Sequence, residues 1–154
     1  MSSEIIDSIL ENSKYGYVRE YQFDKNYGKR LFRADFAIPS HGILIEYEGL
    51  SFAKNSTSRH QTNLGISKDT EKYNIAVKLG FSVLRYTVLT LKNNPYIVLD
   101  DIDILVKNIE NRDPIGFCYK CNEPLWVNKK LLISTNNGYH CLVCQWIIDD
   151  LKKK

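Results

Sequence analysis

Apolar residues recur at helical spacing from the start of the chain. Ile5, Ile6, Ile9 and Leu10 follow Ser2 and Ser3, two residues suited to capping, and the pattern predicts a short amphipathic helix over 4–13. Residues 17–23 then alternate as a strand does, 24–29 hold turn formers, and 31–38 resume an extended pattern that ends at Pro39, so a β-hairpin is expected. After Ser40-His41-Gly42, the apolar run Ile43-Leu44-Ile45 turns abruptly acidic in Glu46-Tyr47-Glu48-Gly49. Residues 50–65 are polar and aperiodic, and a stretch of that length is expected to be a mobile binding or active-site loop. Residues 66–79 predict a helix started by Ser67 or Asp69, with Tyr73, Ala76, Val77 and Leu79 as its apolar stripe and Gly80 as its stop. Residues 81–86 form the next strand. Strand, helix, strand in that order predicts a crossover onto a partly parallel sheet, which the preceding hairpin makes mixed. Asn94-Pro95 opens another helix to about Asn111, and Asp113-Pro114-Ile115-Gly116 marks a boundary between a domain over 1–113 and a small module over 114–154.

Composition bounds this picture. The chain has 154 residues, 44% hydrophobic and 25% charged, enough for one core of ordinary size and an appendage. Its opening residues lack a basic stretch followed by an apolar run, and no segment reaches the roughly 18–20 apolar residues of a membrane span. The expectation is a cytoplasmic protein without membrane association. The net charge of +3 is uninformative until its distribution is considered. Residues 1–115 balance at 15 basic and 15 acidic, but 14–33 carry six basic residues against Glu20 and Asp24, and the C-terminal part carries six lysines against three acids. Two basic ends flank a neutral or acidic middle, which fits a phosphate-binding groove and a pair of solvated faces equally.

The acidic strand end carries the chemistry. Glu46 and Glu48 share a face because strand side chains repeat every second residue, and Asp35 lies on the preceding strand, so three carboxylates can converge. Like charges brought together are costly unless a cation holds them, and hard oxygen ligands suit Mg²⁺ or Mn²⁺. Such a site serves phosphodiester chemistry. A structural network with Arg33 or Lys72 is the bland counterpart.

The ordered blocks Arg33-Ala34-Asp35-Phe36-Ala37-Ile38-Pro39, Ile43-Leu44-Ile45-Glu46-Tyr47-Glu48-Gly49, Arg59-His60, Asp69-Thr70-Glu71-Lys72-Tyr73-Asn74-Ile75-Ala76, Gly80-Phe81 and Val83-Leu84-Arg85 together resemble a phage and prophage branch of the PD-(D/E)XK nuclease superfamily. The resemblance spans roughly 17–87 and lies in the succession of blocks. It implies an α/β, restriction-endonuclease-like αβββαβ core in which Asp35 and Glu46 bind a catalytic Mg²⁺ or Mn²⁺. It also implies an endodeoxyribonuclease acting on DNA in phage recombination, repair or processing, as a junction resolvase or a nicking enzyme, in the host cytoplasm if phage-encoded. The sequence departs from the family pattern at the third signature position, where Glu48 replaces lysine. In some branches a basic group of the following helix takes over that role, and Lys72 occupies the matching place. Glu48 is then a further ligand or a water-orienting base. His60, beside Arg59, is a candidate for orienting water or contacting phosphate, and Glu20, in Glu20-Tyr21-Gln22-Phe23, an accessory acid. Arg30, Arg33, Arg59, Lys129 and Lys130 are DNA-binding candidates. The sequence leaves open whether the protein is a homodimer.

All four cysteines follow residue 117. Cys118-Tyr119-Lys120-Cys121 and Cys141-Leu142-Val143-Cys144 are two CxxC pairs 19 residues apart, the spacing of a tetrahedral zinc site, and clustering of this kind in a reducing compartment favours metal over two disulfides. A hairpin within 125–133 is expected, and His140 is a spare ligand beside a shell that four cysteines complete. A closed Cys₄ site is structural. The surrounding lysines, with Trp126, Tyr139 and Trp146, suit a DNA-gripping ribbon or, for the tryptophans, the module's own core. Because Glu48 stands where lysine is usual, a catalytically silent zinc-ribbon DNA-binding or adaptor protein is the alternative to an enzyme.

Overall fold

The computed structural model describes residues 3–24, 31–49, 63–127 and 132–145. Helix α1 (Glu4–Glu11) precedes strands β1 (Val18–Gln22), β2 (Arg33–Ile38) and β3 (Ile43–Glu48), with a 3₁₀ turn at Pro39–His41 between the last two. Helix α2 (Asn63–Leu79), strand β4 (Ser82–Thr87), and helices α3 (Val88–Asn93) and α4 (Ile97–Glu110) complete the larger part. The C-terminal part holds the short strands β5 (Ile133–Thr135) and β6 (Gly138–His140).

The protein is mixed α/β. Its four-stranded sheet runs β1-β2-β3-β4, antiparallel across the first two pairings and parallel between β3 and β4, so the hairpin and the crossover read from the sequence are both present. Alternation along β3 assigns the faces. Ile43 and Ile45 pack with Phe36 and Ile38 against Ile6 and Leu10 of α1 and Val98, Ile102 and Val106 of α4. Leu44 packs on the other side with Ala37 and with Ala76 and Leu79 of α2. Leu125, Val127, Leu132, Leu142 and three of the cysteines belong to that same cluster, so the C-terminal part shares a core with the sheet.

One contact fixes how closely. Gly42, at φ +63° after the 3₁₀ turn, would place a Cβ 2.9 Å from Val127 Cγ1, so glycine satisfies both the left-handed backbone and the tight approach.

Several expectations shift. Ser3 takes the N-cap position of α1 in a helical conformation and makes no side-chain cap bond; Glu4 and Asp7 supply the first-turn negative charge that helices favour. Helix α2 starts at Asn63, earlier than Ser67 or Asp69, and so absorbs the end of the expected 50–65 loop, whose remainder, 50–62, lies outside the described residues. Ala76 and Leu79 are buried, but Val77 is 64% exposed, because each helical residue turns about 100° from the last. Gly80, at φ +94°, ends the helix as expected, its N–H donating to Val77 O at 2.9 Å and the next N–H, of Phe81, to Ala76 O at 3.0 Å. The C-terminal hairpin lies over 133–140 instead of 125–133, with Thr135 paired to Gly138; residues 128–131 are outside the described set. No helix among the described residues is long and apolar enough to cross a membrane.

Candidate functional site

The sheet register aligns the acidic residues. Phe36 pairs with Ile45 and Ala37 with Leu44, so one step further along the two antiparallel strands Asp35 stands opposite Glu46. Glu46 in turn pairs with Arg85 on β4, and Glu48 with Thr87. On the far side, Arg19↔Phe36 and Tyr21↔Ala34 flank Glu20, which therefore stands beside Asp35 on the edge strand. Glu20 is exposed and has a left-handed backbone at φ 49°, and its place in the ladder carries no pairing.

Glu46 is buried, with 5% of its surface exposed. Its Oε1 lies 2.7 Å from Lys72 Nζ, which α2 lowers onto the sheet from the second half of the helix. Burial pushes the Glu46 carboxyl up, to about 7; Lys72 opposes that shift, and the nearby charges of Asp35 and Glu48 add to it. Asp35 Oδ2 accepts the backbone N–H of Tyr47 at 2.8 Å, which ties β2 to β3 where the regular pairing stops.

Glu48 is engaged differently. Its Oε1 accepts the Tyr73 hydroxyl at 2.6 Å and Arg85 Nε at 2.9 Å, and Arg85 Nη2 lies 2.8 Å away. The Arg85 guanidinium also stacks on Tyr73, 4.1 Å from the ring centroid. Burial and the bond to Glu48 push the Tyr73 hydroxyl far up, so it remains a donor. Lys72 and Tyr73, consecutive on α2, thus reach two carboxylates that are two residues apart on β3.

Asp35, Glu46, Glu48 and Lys72 are brought together around the sheet's acidic end. Glu20 is adjacent through the backbone. Arg33 is exposed on β2, paired with Gln22. Arg30, Arg59, His60, Lys129 and Lys130 lie outside the described residues. Sequence reasoning gave Tyr73 a packing role and quoted Arg85 in the block Val83-Leu84-Arg85 without assigning it a role. Their signal was a charged residue at mid-strand, two positions from Val83, with an aromatic next to the helix lysine.

In the C-terminal part, the four cysteine sulfurs lie within 4.8 Å of one another, and Cys121 Sγ is 3.7 Å from Cys141 Sγ. A tetrahedron with Zn–S bonds of ~2.3 Å has edges of about 3.8 Å. All four cysteines are free thiols, three of them buried. The backbone N–H groups of Cys141 and Cys144 donate to Cys118 Sγ and Cys141 Sγ, each at 3.3 Å, which favours thiolate at those sulfurs. Burial resists ionisation of Cys118, but hydrogen bonds from the backbones of Cys141, Cys121 and Lys120 outweigh it and bring that thiol down to about 6. Burial pushes Cys141 up to about 11 and raises Cys144 further, with neighbouring thiols adding to the latter. One soft divalent cation relieves this frustration, and the cluster can hold zinc.

The cluster is assembled by short-range pairing. Cys118 N–H donates to Glu123 O and Asn122 N–H to Cys118 O, closing the first CxxC turn, with Asn122 at φ 58°. Tyr119 N–H donates to Tyr139 O, and the Tyr119 ring stacks on His140, joining that turn to the β5–β6 ribbon.

No family model, curated protein or solved structure matches the chain.

Proposed function

We propose that this protein is a divalent-metal-dependent DNA endonuclease with a PD-(D/E)XK-type core, and that its C-terminal part is a Cys₄ zinc module that helps to position DNA. The observation that carries the reading is the 2.7 Å contact of Lys72 with Glu46: a helix lysine delivers its ammonium to the acidic strand end whose own third position is Glu48. The succession α1-β1-β2-β3-α2-β4 and the mixed sheet support the same reading. The donor set suits a hard cation, because Asp35 and Glu46 lie one step beyond the Phe36–Ile45 pair on adjacent strands and Glu46 resists ionisation without one.

Asp35 and Glu46 would hold Mg²⁺ or Mn²⁺, which supplies Lewis acidity for hydrolysis of a phosphodiester. Lys72 leaves Glu46 charge-compensated before the cation arrives and offers an ammonium for charge that builds on the phosphate in the transition state. Zinc, enclosed by four thiolates, would stay structural.

The test is cleavage of plasmid, flap and four-way DNA with Mg²⁺ or Mn²⁺. Asp35→Ala should abolish cleavage while thermal stability and zinc content persist. Full cleavage by Asp35→Ala would overturn the site, and absence of cleavage by the native protein on every substrate would favour a DNA-binding adaptor.

A further inference from the structure

We propose that Arg85 contacts a phosphate of the bound DNA strand, and that Glu48 serves as the anchor of Arg85 instead of as a ligand of the catalytic cation. The proposal rests on the nuclease reading and deepens it.

Arg85 is the register partner of Glu46 on β4, and neighbouring strands lie roughly 4.8 Å apart, so Asp35, Glu46 and Arg85 form one row across three strands. A phosphate close enough to meet a cation on Asp35 and Glu46 therefore passes Arg85. The side chain is built to be there. Half of it is exposed, which an arginine retained only for a buried network would not need. At the same time it is immobilised on two sides, by the Glu48 carboxylate along its Nε and Nη2 edge and by the Tyr73 ring beneath it. An exposed cation normally loses side-chain entropy on meeting a ligand; here that ordering is already done. The guanidinium has five donors, and Glu48 uses one edge, so the outer donors remain suited to phosphate oxygen.

The same contacts converge on one oxygen of Glu48. Its Oε1 receives the Tyr73 hydroxyl and Arg85 at distances from 2.6 to 2.9 Å. Arg85 neutralises it with a guanidinium stacked on Tyr73, whereas Glu46 meets, among the described residues, only the single ammonium of Lys72 and stands in the row with Asp35, so Asp35 and Glu46 are the carboxylates offered to an incoming cation.

The experiment measures DNA binding separately from cleavage. In an Asp35→Ala background, fluorescence anisotropy of labelled duplex and four-way DNA is followed against salt concentration. Arg85→Gln should weaken binding and lower the slope of log affinity on log salt by about one, the loss of one phosphate contact, while Arg85→Lys should restore the slope. Tyr73→Leu, which keeps every charge, should weaken binding several-fold at unchanged slope. In parallel, Mn²⁺ titration of the zinc-loaded native protein should show affinity retained within a few-fold in Glu48→Gln and lost in Asp35→Ala. Thermal melting identifies any variant that fails to fold, and Tyr73→Leu or Arg85→Lys then carries the test. Unchanged binding and slope in Arg85→Gln would overturn the phosphate contact. Loss of Mn²⁺ binding in Glu48→Gln equal to that in Asp35→Ala would overturn the anchor. If the Asp35→Ala parent and the native protein bind no DNA under any condition, the nuclease reading itself fails.

Discussion

Three carboxylates along β2 and β3 and four thiols in the C-terminal part both crowd groups that repel one another when ionised, yet the two clusters are balanced in opposite ways. At the sheet, Lys72 sits 2.7 Å from Glu46 and Arg85 2.8 Å from Glu48, so most of the negative charge is compensated by the chain itself. Around the sulfurs, the described side chains include no ion pair, and ionisation is favoured by backbone N–H groups and by hydrogen bonds between the thiols themselves. An acidic site with internal cations can fold empty and take up a metal when substrate chemistry calls for it. A thiolate site without them has to be filled for its own region to be stable.

Removing zinc should have the largest effect. Cys118, Cys141 and Cys144 lie in the cluster that also contains Leu44, Ala76 and Phe81, so chelation or Cys118→Ser should lower stability by roughly 5 kcal/mol or more, part of the ~10–16 kcal/mol that zinc supplies to isolated fingers. Elemental analysis should find one zinc per chain, and amide exchange should show protection lost first over 116–145. A metal-free protein with an unchanged melting curve would break the comparison.

Lys72→Met should come next, because it strands a buried carboxylate. At pH 9 the cost should be roughly 2–3 kcal/mol by chemical denaturation, since a carboxyl that titrates at about 7 can take a proton once its partner is gone, and it should shrink near pH 5, where Glu46 is protonated in both forms. Equal losses at the two pH values would place Glu46 in a wetter site than its burial indicates.

The pH dependence of the unmutated, Mg²⁺-free protein follows from the same group. The folded carboxyl of Glu46 titrates at about 7, above its ordinary 4.5, so the folded state binds the proton more tightly and gains stability from it. That contribution is fully present below pH 4.5 and is lost as pH rises through about 7, a change on the order of 3 kcal/mol. Glu46→Gln should flatten this part of the profile, and saturating Mg²⁺ should restore stability at pH 8 by binding the ionised form.

The smallest expected effect probes the seam between the two regions. Gly42→Ala forces a Cβ against Val127 at a left-handed position and should cost about 1–2 kcal/mol, partly recovered when Val127→Ala is added. Strict additivity of the two changes would mean the seam yields.

Much of this architecture was legible in short-range pattern. The run Ile43-Leu44-Ile45 announced a strand buried on both faces, and the two CxxC pairs announced a joint site. Helix α3 was not legible, since Thr87-Val88-Leu89-Thr90 reads as β-branched strand; what makes it helical is Thr87 Oγ1, which caps the N–H of Thr90 at 3.2 Å. Likewise, Lys72 could be singled out only through a resemblance to nuclease sequences, because nothing in an isolated helix reveals a partner 26 positions earlier. Arg85 and Tyr73 escaped for the same reason: their meeting with Glu48 is a product of the crossover, and long-range register leaves no local periodicity.

Helix α2 combines two functions in one stripe. Lys72, Tyr73, Ala76 and Leu79 follow the i, i+1, i+4, i+7 spacing of a single helical face, so the residues that grip the acidic strand are phased with those that pack on the sheet. Inserting one residue between Tyr73 and Ala76 would rotate the two halves by about 100° relative to each other, and one half would have to let go. The spacing of this helix is therefore under a stricter constraint than its composition: many residues could replace the exposed Asn74, but inserting or deleting one residue beside it would part the carboxylate contacts from the packing face in a single step.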